Sequence, residues 1–340
     1  MNAARLHELS GRYTRLRVAI VGDFCLDRYL EIDPARGETS IETSLPVHNV
    51  VNVRSQPGAA GTILNNLVAL GVGEILPVGF CGVDGEGFEL RRSLLARRGV
   101  NLSCFVETEL RRTFTYCKPI ILTPGQPPRE LNRLDSKNWT PTPPAIEEQL
   151  AAHIADLTRA VDAIIVMDQV DAAGTGVVTA RVLEALRAAN TARPELLVIA
   201  DSRRGLRGFP PFTFKMNAAE LAAMTDAAPG QPLDALGKTA AILARQQQRA
   251  VFVTLAERGI IGADTAGEVS HVPAHPVRGE IDIVGAGDSV TANLTAALAA
   301  GASVSEACRC AMAAASIVIH QLGTTGTAEP AAIARLLSGS

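Results

Sequence analysis

Aromatic residues are scarce in this 340-residue chain, at 4% with a single tryptophan, and its six cysteines include no Cys-x-x-Cys pair. Neither a disulfide framework nor a cysteine-based zinc site has a basis in such a pattern. Cys25, Cys81, Cys104, Cys117, Cys308 and Cys310 read instead as reduced, mostly buried thiols, and a cytoplasmic location is the expectation. His271 and His275 have no acid or cysteine at ligand spacing, which argues against zinc there too. No apolar run is long enough to span a bilayer, and residues 1–14 lack an apolar signal core. Positive charge is not in excess: 32 Lys and Arg against 35 Asp and Glu leave a net charge of −3 and no basic block. That excludes the usual electrostatic footprint of a nucleic-acid binder. Nor does Gly-x-Gly-x-x-Gly follow the first apolar run, which removes the fingerprint of a dinucleotide-binding oxidoreductase.

What is present is an alternation. Short apolar runs at 17–21, 74–78, 163–167, 196–200, 250–254 and 260–263 read as buried strands. Helical periodicity fills 61–70, 88–98, 146–155, 176–189, 218–224 and 233–246. Continuous apolar strands alternating with amphipathic helices predict an α/β fold, a doubly wound, mostly parallel sheet covered on both faces. In such folds ligands collect beyond the carboxyl ends of the strands. Two β-rich stretches, 31–53 and 102–122, interrupt the rhythm without an intervening helix. They predict a small antiparallel sheet, either a flap over the site or a plain surface sheet.

The most informative segment is Ile281-Asp282-Ile283-Val284-Gly285-Ala286-Gly287-Asp288-Ser289, followed by an Ala/Leu-rich helix. Small residues leave the amides of the turn uncovered, and a helix start adds unpaired N–H groups and a positive dipole end. Such a place holds an anion, commonly phosphate. A carboxylate beside bound phosphate needs a chemical task, and taking a proton from a hydroxyl that attacks phosphorus is the natural one. A plain helix start with an early aspartate is the structural alternative.

Other segments are open to two readings each. Val21-Gly22-Asp23 ends a buried strand, with Asp27 just beyond; these acids suit a polyol's hydroxyls or a turn. Pro57-Gly58-Ala59-Ala60-Gly61-Thr62 opens a helix with tiny residues, for close ligand approach or for packing. Asn217 and Glu220 have the spacing of a capping box, and the same pair can orient magnesium-bound water. Thr254 to Gly259 joins two strands through a polar turn that suits a nucleotide wall or a simple hairpin.

In this order the segments resemble the PfkB, or ribokinase-like, carbohydrate kinases from about 17 to 330, most specifically at Asp282-x-x-Gly285-Ala286-Gly287-Asp288. Val21-Gly22-Asp23-x-x-x-Asp27-Arg28-Tyr29, Arg133-Leu134-Asp135 and Leu322-Gly323-Thr324-Thr325 look most like the kinase half of bacterial heptose-phosphate kinase/ADP-heptose synthase proteins. The length leaves no room for the nucleotidyltransferase half, so kinase chemistry alone is expected. The resemblance implies one ribokinase-like domain over 15–335, with a β lid from 31–53 and 102–122. It implies Asp288 as catalytic base and Gly285, Ala286 and Gly287 as the anion hole. Asp23, Asp27, Gly58, Ala59, Thr62, Arg133 and Asp168 fall at the substrate end. Asn217 and Glu220 fall on the ATP phosphates and Mg²⁺, with Thr254 and Gly259 on the nucleotide wall. Asp282 and Gly323 fall where a monovalent cation, K⁺, often sits.

An ATP-dependent kinase of a sugar or sugar phosphate is thus expected, as a homodimer paired through the lid, without nucleic-acid or membrane partners. A nucleoside kinase of the same fold and a catalytically silent sugar- or nucleotide-binding regulator are the alternatives. The chain departs from the family pattern at Ala59 and Ala256, where glycine is usual, and at Thr62, where the heptose kinases carry Asn. Asp171 stands in place of a lysine, with Arg133 and Arg203 as the cations that would substitute.

Overall fold

The computed structural model describes residues 3–338. Its central sheet has nine strands, in the order Val269–Val272, Ile260–Ala263, Val251–Thr254, Thr213–Asn217, Leu197–Ser202, Ala163–Asp168, Arg17–Gly22, Glu74–Gly82 and Phe105–Thr108. All neighbours pair in parallel except at the edge formed by the last two strands of the chain, which are antiparallel. From Arg17–Gly22 the chain winds outward to Phe105–Thr108, then returns to the opposite flank at Ala163–Asp168 and winds the other way. The reversal opens a crevice beyond the carboxyl ends of these two strands.

Period-two patterning explains why this sheet is buried on both sides. Val18 and Ile20 enter one core, packed with Leu64, Leu67, Leu294 and Ala311. Ala19 and Val21 enter the other, packed with Leu150, Ile154, Val182 and Leu186. Successive strand residues face opposite ways, so an unbroken apolar run feeds both layers. No helix among the described residues is long and apolar enough to cross a membrane.

A second sheet stands off the first, in the order Val50–Ala59, Phe24–Ile32, Phe114–Ile121 and Arg129–Glu130. It differs from the expectation in two respects. It is mixed rather than antiparallel, because Phe24–Ile32 pairs in parallel with Phe114–Ile121. Its membership also differs: Phe105–Thr108, within the anticipated 102–122 excursion, extends the central sheet beside Glu74–Gly82. The first excursion begins earlier than 31, since Phe24–Ile32 follows directly on the first strand.

Thr213–Asn217 is a strand that the apolar runs read from the sequence did not include. Pro210 and Pro211 break the run before it, and Lys215 interrupts its hydrophobicity. The helix Ala3–Tyr13 was not anticipated either, although Leu6, Leu9 and Tyr13 form its buried stripe.

Candidate active site

The turn before the helix Ala286–Ala299 is built on Gly285, whose φ of +82° suits glycine and strains residues with a side chain. Space is tight there as well, for a Cβ would lie 3.2 Å from Thr325 and 3.4 Å from Thr62. The Ala286 amide donates to the Ile283 carbonyl at 3.2 Å, leaving the amides of Gly287 and Asp288 as the turn's donors. Asp288 follows in the first turn, half-buried at the cleft floor. Burial pushes its carboxyl pKa up to about 7; Asp201 and Asp27 add to the rise, and Lys215 opposes it.

That lysine reaches the turn. A Cβ on Gly287 would sit 3.2 Å from Lys215 Nζ. Lys215 projects from Thr213–Asn217 and donates to Asp201 Oδ2 at 2.6 Å, with both residues buried. The Thr291 hydroxyl, one turn beyond Asp288, donates to the same oxygen at 3.1 Å. Burial disfavours the charge on Lys215, yet the attraction and hydrogen bond of Asp201 outweigh it and hold the ammonium's pKa above its ordinary value.

On one side of the turn lies a cavity of about 960 Å³. Asn217, Thr254 and Gly259 line it together with Ala286 and Gly287, which brings three separate sequence segments to one place. Its far wall is apolar, from Val277, Ile281, Ile283 and Ile319. A nucleoside-sized group fits such a chamber with its phosphates toward the helix start. Asn217 and Glu220 do form the capping box: Asn217 Oδ1 accepts from the Glu220 amide at 2.9 Å, and Glu220 Oε2 from the Asn217 amide at 2.7 Å. The box engages one carboxylate oxygen of Glu220, whose pKa burial raises. A hydrated divalent cation would offset that cost, so the donor set fits magnesium.

On the other side, one face of the small sheet looks toward the turn. Asp27 pairs with Gln56 and Tyr116 in register, so the three share that face. Gln56 Nε2 donates to Thr325 Oγ1 at 3.0 Å, beside Gly285. Asp27 is buried, and burial raises its pKa, against the pull of Lys118 and Arg133. Gly58 lies against it: a Cβ there would fall 2.5 Å from Asp27 Oδ2. Ala59 keeps a glycine-like backbone, with φ +52° and ψ −117°.

A nucleotide-sized chamber and the sheet face that bears Asp27 thus adjoin one helix start. Comparison with known proteins agrees. The profile described as "pfkB family carbohydrate kinase" matches residues 24–332. The chain belongs to the pfkB family of carbohydrate kinases. As a member it is a phosphotransferase acting on a sugar hydroxyl. Among curated relatives, "Bifunctional protein HldE" of Bradyrhizobium sp. is 33% identical over 321 residues, covering 93% of this chain and 62% of that protein. The Rhodospirillum rubrum protein of the same name is 32% identical, covering 96% and 63%. The chain therefore spans under two thirds of those relatives. Among solved structures, phosphofructokinase-2 from Escherichia coli superposes with a TM-score of 0.71 at 18% identity, covering 95% of this chain and 99% of that one. Arabidopsis thaliana ribokinase complexed with ribose and ATP gives 0.64 at 18%, covering 96% and 99%. At these identities the likeness establishes the fold, ribokinase-like α/β, as expected.

Within this pfkB-family kinase, not every expected site residue faces the cleft. Asp23 is the plainest correction. Its Oδ2 accepts from the amides of Gln169 and Val170 at 2.8 and 3.3 Å, and its Oδ1 from that of Val177 at 2.7 Å. It is 2% exposed and pins the 169–177 loop to the first strand, which leaves it no opening toward a polyol. Burial, the largest cause, lifts its pKa to about 6. Asp168 is likewise fully buried: its Oδ2 accepts from Ser202 at 2.7 Å and Arg204 at 2.8 Å, and its Oδ1 has no partner. Arg133 stacks on Tyr116 and pairs with Asp135. Asp282 and Gly323 flank the turn on adjoining loops, the Asp282 amide donating to the Ile319 carbonyl at 2.8 Å. Thr62 is buried against Gly285.

Sequence reading missed Asp201, Lys215 and Thr291. Two of them carried a signal. Asp201 ends a buried parallel strand, as Asp23 and Asp168 do, and Lys215 is a lone charge inside the apolar run from Phe212 to Met216.

Proposed function

We propose that the chain transfers the γ-phosphoryl group of ATP to a hydroxyl of a sugar or sugar phosphate, with Asp288 as general base. What supports this reading is that Asp288 lies between the large cavity and the Asp27 face of the small sheet. Gly287 lines the cavity, and Asp27, on the acceptor side, is close enough to oppose ionisation of Asp288. A pKa near 7 suits a group that must be ionised to take a proton and must release it afterwards.

The amides of Gly287 and Asp288, with Lys215 beside them, supply positive charge where negative charge grows on the transferring group. Asn217, Thr254 and Gly259 line the donor chamber, and Asn217 with Glu220 would hold the hydrated magnesium that accompanies ATP. That ion supplies neutralisation across the phosphates. Asp27 orients the acceptor, with Gly58, Ala59, Thr62 and Arg133 around it. The loops carrying Asp282 and Gly323 adjoin, which suits a monovalent cation such as K⁺ next to the helix start. The kinase domain runs over 15–335, and the small sheet acts as a lid that excludes water from the transfer. Exposed Val51, Val53 and Leu134 on that sheet favour pairing of two chains through it. Use of ATP places the reaction in the cytoplasm.

The test is a panel of sugars, sugar phosphates and adenosine, scored for ADP release by the wild type and by Asp288→Asn. Sugar-dependent release that falls about 10²-fold or more in the variant supports the reading. Comparable turnover in a folded variant would remove Asp288 as base, and adenosine as the sole acceptor would convert the assignment to a nucleoside kinase.

A further inference from the structure

The acceptor end carries more charge than the transfer itself uses. Tyr116 shares the face of Asp27, and its ring is flanked by Arg133 at 5.0 Å and Lys137 at 5.7 Å from the centroid. Neither cation is uncommitted. Arg133 pairs with Asp135 at 3.0 Å, and Lys137 Nζ donates to Asp171 Oδ2 at 2.8 Å. Arg203, from the loop after Leu197–Ser202, meets the other oxygen of Asp171 at 3.3 Å. One carboxylate therefore holds two cations, one on each oxygen. Lys118, on the same sheet face, turns to the Tyr29 ring at 5.0 Å. Tyr116, Lys137 and Asp171 line a single recess with Val170, whose amide binds Asp23.

Exposed ion pairs contribute little to stability, so this arrangement is not explained by folding. Its consequence is electrostatic. A phosphate group drawn to Lys137 and Arg203 would meet the Asp171 carboxylate already between them, which cancels one of the two positive charges and repels the phosphate. A neutral hydroxyl meets no such obstacle: it can donate to Asp171 and accept from either cation.

We propose that Asp171 is a specificity-determining residue that selects an acceptor whose far end is an uncharged polyol, and rejects the same sugar bearing a phosphate there. This rests on the sugar-kinase reading above and narrows it. Arg133 and Arg203 do not stand free to replace a missing cation, because each already pairs with an acid on this chain.

Matched pairs of pentose, hexose and heptose, free and terminally phosphorylated, are assayed for ADP release with the wild type and Asp171→Asn. The wild type is expected to favour the free member. Asp171→Asn is expected to raise kcat/KM for the phosphorylated member about tenfold, with a smaller change for the free one. A wild type that prefers the phosphorylated member, or an unchanged ratio in the variant, overturns the proposal. Calorimetric titration of inorganic phosphate at low salt decides it without turnover. Binding should tighten about tenfold in Asp171→Asn, and the gain should vanish when Lys137→Met is added. Equal affinities overturn the proposal. Absence of ADP release with every acceptor would instead sink the kinase reading, and the phosphate titration would still judge Asp171.

Discussion

Lys215 donates to Asp201 at 2.6 Å in the protein interior, and Thr291 of the helix Ala286–Ala299 shares the same carboxylate oxygen. A buried cation is thereby fixed under the Gly285–Gly287 turn by two neighbouring strands and the helix that carries Asp288. Removing one partner leaves an uncompensated buried charge, which costs about 3–5 kcal/mol. Lys215→Met is expected to lower stability by that order in chemical denaturation. Pairing it with Asp201→Leu should restore much of the stability. Turnover should remain depressed by about 10²-fold, because the cation facing the transferring group is gone. Full activity in the double variant would reduce the pair to a structural role.

The raised pKa of Asp288 has two pH consequences with a definite sign. In the proposed role of base it works ionised, so kcat/KM should rise with pH along a limb centred near 7. Stability runs the other way. Between the ordinary 3.8 and the folded value of about 7, the folded state binds the extra proton, so this contribution is present at low pH and lost as pH rises through 7. Asp23, lifted to about 6, acts in the same sense. Asp288→Asn should therefore flatten the decline in stability across that window, measured by denaturation midpoints at a series of pH values. An unchanged slope would contradict the burial-driven shift.

Much of this was legible before the fold was known, for physical reasons. Val251–Thr254 and Ile260–Ala263 pair as the hairpin their spacing indicates, because a short polar turn between two apolar runs allows little else. Gly285 bears its αL turn, since a glycine before a helix marks a backbone that side chains disfavour. Asn217 shows the limit. Its spacing to Glu220 fits a cap and a phosphate motif equally, and the structure shows the cap while placing Asn217 on the donor chamber. Asp23 looked like a ligand for hydroxyls because the backbone amides that occupy it come from residues 169–177, a separation no local pattern reports. Arg203 was a candidate from the sequence, but its sharing of Asp171 with Lys137 was not visible for the same reason: the two cations arrive from different loops.

Two alanines hold glycine-like backbone at the site, Ala59 with φ +52° at the acceptor-side helix start and Ala256 with φ +52° at the donor-side turn. A side chain at positive φ costs roughly 1 kcal/mol relative to glycine, partly offset by the greater freedom of glycine in the unfolded chain. Ala59→Gly and Ala256→Gly are each expected to be neutral to stabilising by up to about 1 kcal/mol, contrary to the usual effect of introducing glycine. Loss of more than about 1 kcal/mol in either variant would show that the methyl packs favourably enough to outweigh the strain.

Gly58 is required for the opposite reason, one of space. A Cβ there would lie 2.5 Å from Asp27 Oδ2 and 2.8 Å from Cys25 Sγ, closer than unbonded atoms approach. Asp27 sits in the middle of Phe24–Ile32, held on both flanks by its sheet partners, so its backbone cannot retreat and the carboxylate must rotate away. Gly58→Ala is therefore expected to displace the acceptor-orienting group while leaving the donor chamber intact. The acceptor KM should rise about tenfold or more, or kcat fall by a similar factor through misplacement, with the KM for ATP essentially unchanged. Steady-state kinetics against both substrates separates these effects. An equal rise in both KM values would indicate a general collapse of the cleft, and unchanged kinetics would show that Asp27 is not the group that orients the acceptor.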